Sequence, residues 1–584
     1  MTAIDAILRD AVDAGETWRH VEKLSTIERL AGTAGEREAV QYIMDKLAEY
    51  GIPSHLYEFE SFVSYPLEAE LQVLEPEPLA IPCRPRAFAA STPDDGIEAE
   101  VVYLPSEAEH HDRSKMIFAQ TGANEDYQAQ DVSGKIVLTT SGGPDGLKLA
   151  QDHGAVAHVH MWPSGEDVIH EMIVSSIWGT PTPESAARLV KIPAISIKRA
   201  DGDRLKALCA RGRVRARIKA NVYIGWKPVL LPLAEIAAAD DDETFMLVGG
   251  HHCSWYVGTT DNATGDACLL EMARVLYQHR DRLRRSVRIG WWPSHSQGRY
   301  AGSTWYADYA FADLRRNCIA YLGIDSPGVK GAEIWDCRYN HAEVERFTDR
   351  LMREVTGQEP NIRRPLKAGD QSFWGIGLPS LGAYRMVPAD SPVRANVGGS
   401  GGAYWWHSPE DTIDKGDAAI LASDTQLYLT IVGRLCTAEK LPFEFVTAAR
   451  DFEKVLGELA QAAAGHIDVA PALEATRRFA DAAQALDQRT AGVAGPKANL
   501  FNRRLMEISR IINPVLYTMA GDYDQDPALQ LPQLPGLQGA RRLPGLDAAS
   551  NEYGFLKTRL LRELNRTVDA LERATAAAKG IAGQ

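Results

Sequence analysis

The chain has 584 residues, more than one hydrophobic core supports, so we expect it to divide into two to four domains. Hydrophobic residues make up 45% and charged residues 24%, which is ordinary for a soluble globular protein. The formal net charge is −15 and no dense basic stripe is present, so the composition excludes nucleic acid as an expected partner.

The first predicted element is a helix over residues 1–18, in which charged residues interrupt any apolar stretch. It lacks the features of a secretory signal, and no later segment has the roughly 18 consecutive apolar residues of a membrane span. The seven cysteines are scattered and never spaced as C-x-x-C, which favours reduced thiols over a disulfide framework. We therefore expect a cytoplasmic protein without a membrane partner.

The sequence pattern changes twice further along the chain. Residues 60–214 alternate short apolar and polar segments with Pro- and Gly-rich turns, which predicts a compact β-rich domain. Residues 215–437 alternate strands with helices and, with residues 1–59, predict an α/β domain. Residues 438–584 are Ala-rich and helical in pattern. The predicted fold class is therefore α/β: a mixed, largely parallel sheet flanked by helices, with an inserted β-rich domain and a C-terminal helical domain.

Three predicted strands of the α/β region are followed by a polar residue. The strand "FMLVGG" is followed by His251, "IAYLGI" by Asp325 and "VRIGWWPS" by His295. The carboxyl ends of the strands in an open α/β sheet lie along one edge, so these side chains are expected to converge. Imidazole and carboxylate groups are zinc ligands. An imidazole also titrates near neutral pH, so His295 is a candidate general base as well as a candidate ligand.

Two further candidate ligands lie near predicted helix starts. Asp261, in "TTDNATG", directly precedes a helix, where a carboxylate is favoured by the helix dipole. His407 precedes "SPEDT", in which Ser408, Pro409 and Asp411 suit the beginning of a helix. Each residue alone has an ordinary structural explanation, such as a cap or a turn. Their joint position at sheet and helix ends indicates a metal site.

The loops around these motifs are rich in aromatic residues. Tyr404 and Trp405 lie in a predicted loop and are candidates for the wall of a pocket that holds an apolar or aromatic group. Arg385, upstream of the Gly-rich "VGGSGG", is a candidate for bidentate pairing with a substrate carboxylate. A surface salt bridge explains Arg385 equally well. These three residues are the predicted substrate-binding residues.

The chain resembles the co-catalytic zinc aminopeptidases through an ordered series of motifs: "GGHHCS", "TTDNATG", "WWPSHSQG", "LGIDSPG", "GDQSFWGIGLPSLG" and "WWHSPEDT". It is most similar to the branch that contains glutamate carboxypeptidase II and the transferrin receptor. The segments "VSGKIVLTT", "LAQDHGAVAHV" and "IPAISI" resemble the protease-associated domain of that branch. The segments "NLFNRRLMEISRIINPVLYT" and "LPGL" resemble its helical dimerisation domain, which implies a homodimer formed through residues 438–584.

The resemblance also implies roles for the candidate ligands. Asp261 corresponds to the carboxylate that bridges two metals. His251 and Asp325 correspond to the residues that complete one of the two sites. His407 corresponds to a ligand of the other site.

Three positions depart from the family pattern. The family has two consecutive glutamates, a general base and a ligand, where this sequence has His295 and Ser296. The family also has an aspartate that orients the first histidine, at the position where this sequence has Cys253. Serine is a poor replacement for a carboxylate ligand, and loss of an orienting carboxylate typically costs about 10–100-fold in metal affinity or activity. We expect one tightly held metal, or two with His295 as an additional ligand.

These features together predict a metal-dependent hydrolase that acts on a peptide-like or small amide or C–N substrate. The expected cofactor is one or two divalent ions per chain, zinc first, with manganese or iron as alternatives. Two other interpretations stay open: a metal-dependent lyase in which His295 abstracts a proton, and a catalytically inactive dimeric binding protein.

Overall fold

The chain folds around one long mixed sheet, which a computed structural model describes together with its flanking helices. The described residues are 2–105, 127, 130–140, 142–239, 243–365, 367–395, 397–490, 492–529 and 531–580. The strands are β1 (Ser54–Glu75), β2 (Leu79–Ile81), β3 (Arg84–Pro85), β4 (Ile97–Tyr103), β5 (Ile136–Thr139), β6 (Ala157–Met161), β7 (Ala194–Ile197), β8 (Val214–Ile236), β9 (Phe245–His251), β10 (Ser286–Trp292), β11 (Cys318–Gly323), β12 (Ile334–Cys337), β13 (Asn361–Ile362), β14 (Ser380–Leu381) and β15 (Tyr384–Met386). The α-helices are α1 (Ala3–Asp10), α2 (Ala14–Leu24), α3 (Ala34–Glu49), α4 (Pro144–Asp152), α5 (Arg199–Arg211), α6 (Thr264–Gln278), α7 (Ala301–Tyr309), α8 (Phe311–Asn317), α9 (Glu345–Thr356), α10 (Ala418–Thr437), α11 (Val446–Ala462), α12 (Ala470–Thr490), α13 (Pro496–Tyr517) and α14 (Asn551–Lys579).

The long strand β8 joins the two halves of the main sheet. The strand order is β14-β11-β9-β10-β8-β4-β5-β6-β7-β3, and β1 pairs antiparallel with β8 along most of its length. Strands β9, β10, β11 and β14 are parallel to one another, as are β4 to β7. Strand β8 runs antiparallel to both β10 and β4. This mixed, largely parallel sheet flanked by helices confirms the predicted fold class.

The central strands are buried on both faces. Every residue of β9 is buried, as expected for an apolar parallel strand covered by helices on both sides. The neighbouring helix α6 is also buried along most of its length. The strands therefore end at fixed positions, which is what a site built on their carboxyl ends requires.

The predicted α/β and β-rich domains are not separated by a break in the sheet. Strand β1 crosses the predicted boundary at residues 59 and 60, and β8 starts at the boundary at residues 214 and 215 and continues the same sheet. The β-rich segment has its own apolar cluster, which includes Val159 and Ile195. The division into residues 1–59 with 215–437, 60–214 and 438–584 stays a prediction.

The C-terminal helices pack into the core of the α/β region. Tyr339 and Trp374 belong to the same buried apolar cluster as Ile512 and Tyr517 of α13. The predicted C-terminal helical region is therefore confirmed as helical, and it shares its core with the sheet. Among the described helices, none combines the length and the apolar character that a membrane crossing needs.

Candidate active site

Two neighbouring parallel strands bring His251 and Asp325 to the same edge of the sheet. His251 is the last residue of β9, and Asp325 follows β11 by two positions. The side-chain amide of Asn262 donates to the carbonyl of His251 at 3.1 Å. Its carbonyl oxygen accepts the N–H of Ser326 at 2.9 Å. Because Asn262 ties the two strand ends together, His251 Nε2 and Asp325 Oδ1 are held 3.8 Å apart.

Asp261 lies between two imidazoles. Its Oδ1 is 3.1 Å from Nε2 of His251, and its Oδ2 is 3.3 Å from Nε2 of His407. The carboxylate of Asp411 holds this segment in place, since it accepts the N–H groups of Thr260 at 2.9 Å and of Asp261 at 3.0 Å. The Asp261 side chain therefore presents one oxygen to each histidine.

Backbone carbonyls orient both of these histidines. Nδ1 of His251 donates to the carbonyl of Cys253 at 2.8 Å, and Nδ1 of His407 donates to the carbonyl of Glu171 at 2.8 Å. Such hydrogen bonds leave Nε2 of each ring as the ligand atom. The backbone carbonyl of Cys253 thus accepts from Nδ1 of His251 where the family has an aspartate, and weaker support of His251 by this neutral acceptor stays a prediction.

The segment after His407 differs from the prediction of a helix start. Residues 408–410 form a bend and a turn, and the next α-helix is α10, which Asp417 caps with its side chain. The carboxylate of Asp411 accepts the N–H groups of Thr260 and Asp261, so it stabilises the segment that carries Asp261. His407 is held instead by the β-rich segment, where the N–H of Glu171 donates to the carbonyl of His407 at 2.8 Å.

His295 lies against His251. The two rings are stacked with centroids 3.9 Å apart and an interplanar angle of 22°. His251, His295 and Asp325 each place one ligand atom within 4.8 Å of those of the other two. Nδ1 of His295 donates to Oδ2 of Asp370 at 2.8 Å, so Nε2 is the ring atom left for other contacts.

The charges of this cluster oppose the effect of burial. Burial by itself lowers the pKa of His251, but the carboxylates of Asp261 and Asp325 raise that pKa well above its usual value. Burial raises the pKa of Asp261, but His251 and His407 hold it well below its usual range. The carboxylates thus favour a positive charge between them, which a bound cation would supply.

The residues at this edge fit a divalent metal ion. Nε2 of His251 is buried and has no hydrogen-bond partner, although two carboxylates lie within 4 Å of it. An orphaned buried nitrogen is unusual in native proteins and calls for a partner that the protein itself does not supply. Two histidines and two aspartates are a ligand set that zinc accepts.

A cavity of about 80 Å³ opens onto this cluster. Its wall includes His295, Ser296, Arg299, Tyr339 and Trp406, together with the ligand-type residues Asp261, Asp325 and His407. The β-rich segment closes one side of the cavity through Met172 and Ile173. A substrate in this cavity would therefore lie between the sheet edge and the β-rich segment.

The predicted substrate-binding residues lie outside the wall of this cavity. Trp405 is buried in a small apolar cluster, and its indole N–H donates to the hydroxyl of Thr260 at 3.1 Å. Tyr404 packs against the same cluster. Arg385 lines a smaller neighbouring cavity and pairs with Asp424 at 3.1 Å. Trp406 is the aromatic residue of this segment that reaches the main cavity. The substrate roles of Tyr404, Trp405 and Arg385 stay predictions.

Three residues that hold the candidate ligands or His295 in place, Asp370, Asp411 and Glu171, have no such role in the sequence analysis, where Asp411 is predicted only to suit a helix start. Asp370 lies in the quoted motif "GDQSFWGIGLPSLG" and Asp411 in "WWHSPEDT", so the motifs that indicate the family resemblance contain both residues. Glu171 lies in the β-rich segment, and it contacts His407 through its backbone, which leaves no signature in the side chain.

Comparisons with known proteins find similarity to peptidases. Peptidase family M28 matches residues 233–432, which contain His251, Asp261, Asp325 and His407. The chain is 20% identical over 580 residues to the probable glutamate carboxypeptidase AMP1 of Arabidopsis thaliana, covering 84% of this chain and 79% of that one. It is 22% identical over 344 residues to the probable glutamate carboxypeptidase VP8 of Zea mays, covering 51% of this chain. The chain thus spans about half of the maize relative's length, since the match covers 48% of it.

The fold is similar to that of a solved zinc aminopeptidase. The similarity to BSAP, a zinc aminopeptidase from Bacillus subtilis, has a TM-score of 0.54 at 18% identity and covers 72% of this chain and 94% of that one. The matches together confirm the resemblance to the zinc aminopeptidase family that the ordered motifs indicate.

Proposed function

We propose that this chain is a metal-dependent hydrolase that cleaves a peptide-like or small amide bond. The observation that carries the proposal is the position of Asp261, with one carboxylate oxygen towards His251 and the other towards His407. The match of peptidase family M28 over the same residues supports it.

We further propose that His251, Asp261 and Asp325 hold one tightly bound ion, for which zinc is the first candidate. A divalent metal bound there would act as a Lewis acid on the substrate carbonyl and on water. On the other side of Asp261, Ser296 stands where the family has a carboxylate ligand, so a second ion would be held more weakly by Asp261 and His407. The name of the zinc aminopeptidase BSAP, whose fold is similar, supports the choice of zinc.

His295 is the proposed general base. Its Nδ1 is engaged by Asp370, and its ring stacks on His251, so Nε2 is available next to the ligand cluster. Nε2 would take a proton from water as the oxygen attacks the carbonyl carbon. It would return that proton to the leaving nitrogen when the amide bond breaks.

Metal analysis and one substitution test the proposal. We expect freshly purified protein to contain about one equivalent of transition metal, and Asp261→Ala to lose both the metal and hydrolysis of amide substrates, since it removes the carboxylate between the two histidines. Asp313→Asn alters an ion pair with Arg288 at the surface and serves as the control. Wild-type protein that binds no metal after incubation with zinc, manganese or iron would contradict the proposal and favour a catalytically inactive binding protein.

A metal-dependent lyase is the second candidate function. It is favoured by one observation: the base at this site is an imidazole paired with Asp370 and not a glutamate. A lyase would use Nε2 of His295 to remove a carbon-bound proton, and no water would be added. Incorporation of oxygen-18 from labelled water into the product would identify a hydrolase, and its absence a lyase.

We also propose a cytoplasmic homodimer with a protease-associated-like domain at residues 60–214. None of the seven cysteines, all of which lie in the described part of the chain, is in a disulfide, which supports a reducing compartment. Phe555 and Leu561 of α14 are 72% and 59% exposed, which supports self-association through the C-terminal region. Sedimentation velocity of wild-type protein and of a Phe555→Ser, Leu561→Ser variant tests the dimer, and an unchanged mass would contradict this surface.

A further inference from the structure

We propose that Asp370 is a positioning residue that sets the tautomer and the orientation of His295. This inference rests on the proposed function, in which His295 transfers the proton. Oδ2 of Asp370 accepts the Nδ1–H of His295 at 2.8 Å. Only 12% of the His295 side chain and 5% of the Asp370 side chain are exposed, so water does not compete strongly for this hydrogen bond.

The other oxygen of Asp370 is fixed by a chain of hydrogen bonds that leads into the core. The hydroxyl of Ser303 donates to Oδ1 of Asp370 at 2.9 Å. Because its proton is used there, Ser303 accepts from the hydroxyl of Ser372 at 2.8 Å. The indole N–H of Trp178 donates to Ser372 at 2.8 Å. The carboxylate of Asp370 is therefore held in one orientation, and so is the imidazole that donates to it.

The contacts on the ring itself leave it little freedom to rotate. One face of His295 stacks on His251, with centroids 3.9 Å apart. Tyr300 meets the ring edge-on, with centroids 4.7 Å apart and an interplanar angle of 83°. An ionised carboxylate only accepts hydrogen bonds, so it stabilises the tautomer with the proton on Nδ1. Nε2 then carries the lone pair that the proposed proton transfer requires.

Asp370→Asn tests the tautomer with almost no change in volume. The asparagine amide can donate to Nδ1, which moves the ring proton to Nε2 and removes the lone pair from the cavity side. We expect kcat to fall by about 10²- to 10⁴-fold, the usual contribution of general acid–base catalysis. We expect KM to change by less than about threefold. We also expect the metal content to stay at the wild-type value, since Asp370 is not one of the proposed ligands.

A double-mutant cycle separates positioning from a structural role. If Asp370 acts through His295, Asp370→Asn has no further effect on the residual rate of a His295→Gln variant. If Asp370 supports the site by another route, the two losses multiply, and that result would overturn the proposal. Asp313→Asn in both backgrounds is the control for an aspartate-to-asparagine change away from the site.

Chemical modification of metal-free protein provides a readout that does not depend on activity. Diethyl pyrocarbonate acylates the unprotonated ring nitrogen, so the peptide that contains His295 should be modified at least about tenfold more slowly in Asp370→Asn than in wild type. Equal modification rates would overturn the proposal. Should wild-type protein hydrolyse no amide, the proposed function fails, whereas the modification rates still decide the role of Asp370.

Discussion

Asp411 is a buried carboxylate that supports the proposed metal site through hydrogen bonds to the backbone beside it. It accepts the N–H and the hydroxyl of Thr260, at 2.9 and 2.8 Å, and the N–H of Asp261 at 3.0 Å. These bonds fix the backbone from which the Asp261 side chain extends towards two histidines. Groups that orient a ligand in this way tune the affinity of a metal site.

Removal of this support should weaken metal binding. We expect Asp411→Ala to lower zinc affinity by about 10–100-fold, since the backbone at Thr260 and Asp261 loses its acceptor and the Asp261 carboxylate loses its fixed position. Competition with a chelator of known affinity measures the change. Asp414→Ala is the control, because Asp414 is an exposed neighbour that pairs with Lys415. Equal zinc affinity in Asp411→Ala and wild type would show that the loop keeps its shape without Asp411.

The residues that carry chemistry differ in how far the sequence predicts them. His251 ends one apolar strand and Asp325 closely follows another, and a polar residue at the end of an apolar strand is a local signal in the sequence. Asp370 is 75 residues from its partner His295, and Glu171 is 236 residues from His407. Such pairs depend on how loops and the β-rich segment fold back, and no periodicity in the sequence reports that.

At the scale of elements, β9 and β11 approach each other so closely that glycine is required between them. A Cβ built on Gly250 would lie 2.3 Å from the backbone oxygen of Ile324. The neighbouring Gly249 faces the indole of Trp292 in the same way, at 2.4 Å. Gly250 thus permits the close approach of the strand ends that hold His251 and Asp325, and Gly249 makes room for Trp292 of β10.

Gly250→Ala should separate these strand ends. We expect a loss of about 1–3 kcal/mol in stability, as for overpacked core positions, and weaker metal binding, because the backbone of β11 must move away. Calorimetry and metal titration measure the two effects. Gly165→Ala is the control, since no atom lies within 4 Å of a Cβ built at that glycine. A Gly250→Ala variant as stable as Gly165→Ala would contradict the proposed close packing.

The extent of strand β1 is only partly predictable from the sequence. The alternation in "EAELQVL" predicts a strand, and the structure contains it within β1. The predicted β-rich domain begins at residue 60, but β1 begins at Ser54 and pairs with β8 almost to its end. The pairing of two strands of more than twenty residues is a long-range property. Local composition therefore predicts a domain boundary at residue 60, although the sheet continues across it.

At the scale of the whole molecule, α13 joins the C-terminal helices to the main sheet. The guanidinium of Arg510 donates to the carbonyls of Arg315 and Gly377 at 3.0 and 3.1 Å. The amide of Asn513 donates to Glu343 at 2.7 Å. All three polar contacts are made by buried side chains of α13, in the same core that contains Tyr517.

Removal of residues 438–584 should therefore prevent the remaining chain from folding. We expect a fragment of residues 1–437 to be insoluble or aggregated, because it exposes the apolar surface that α13 covers and leaves the carbonyls at Arg315 and Gly377 without their donor. Size-exclusion chromatography and zinc content of the expressed fragment measure this. Coexpression of residues 438–584 as a second chain is the control, and it should restore soluble, metal-binding protein, since the shared core can form from two chains. A soluble, zinc-binding fragment on its own would show that residues 1–437 are an independent folding unit, contrary to a core shared across the predicted boundary at residues 437 and 438.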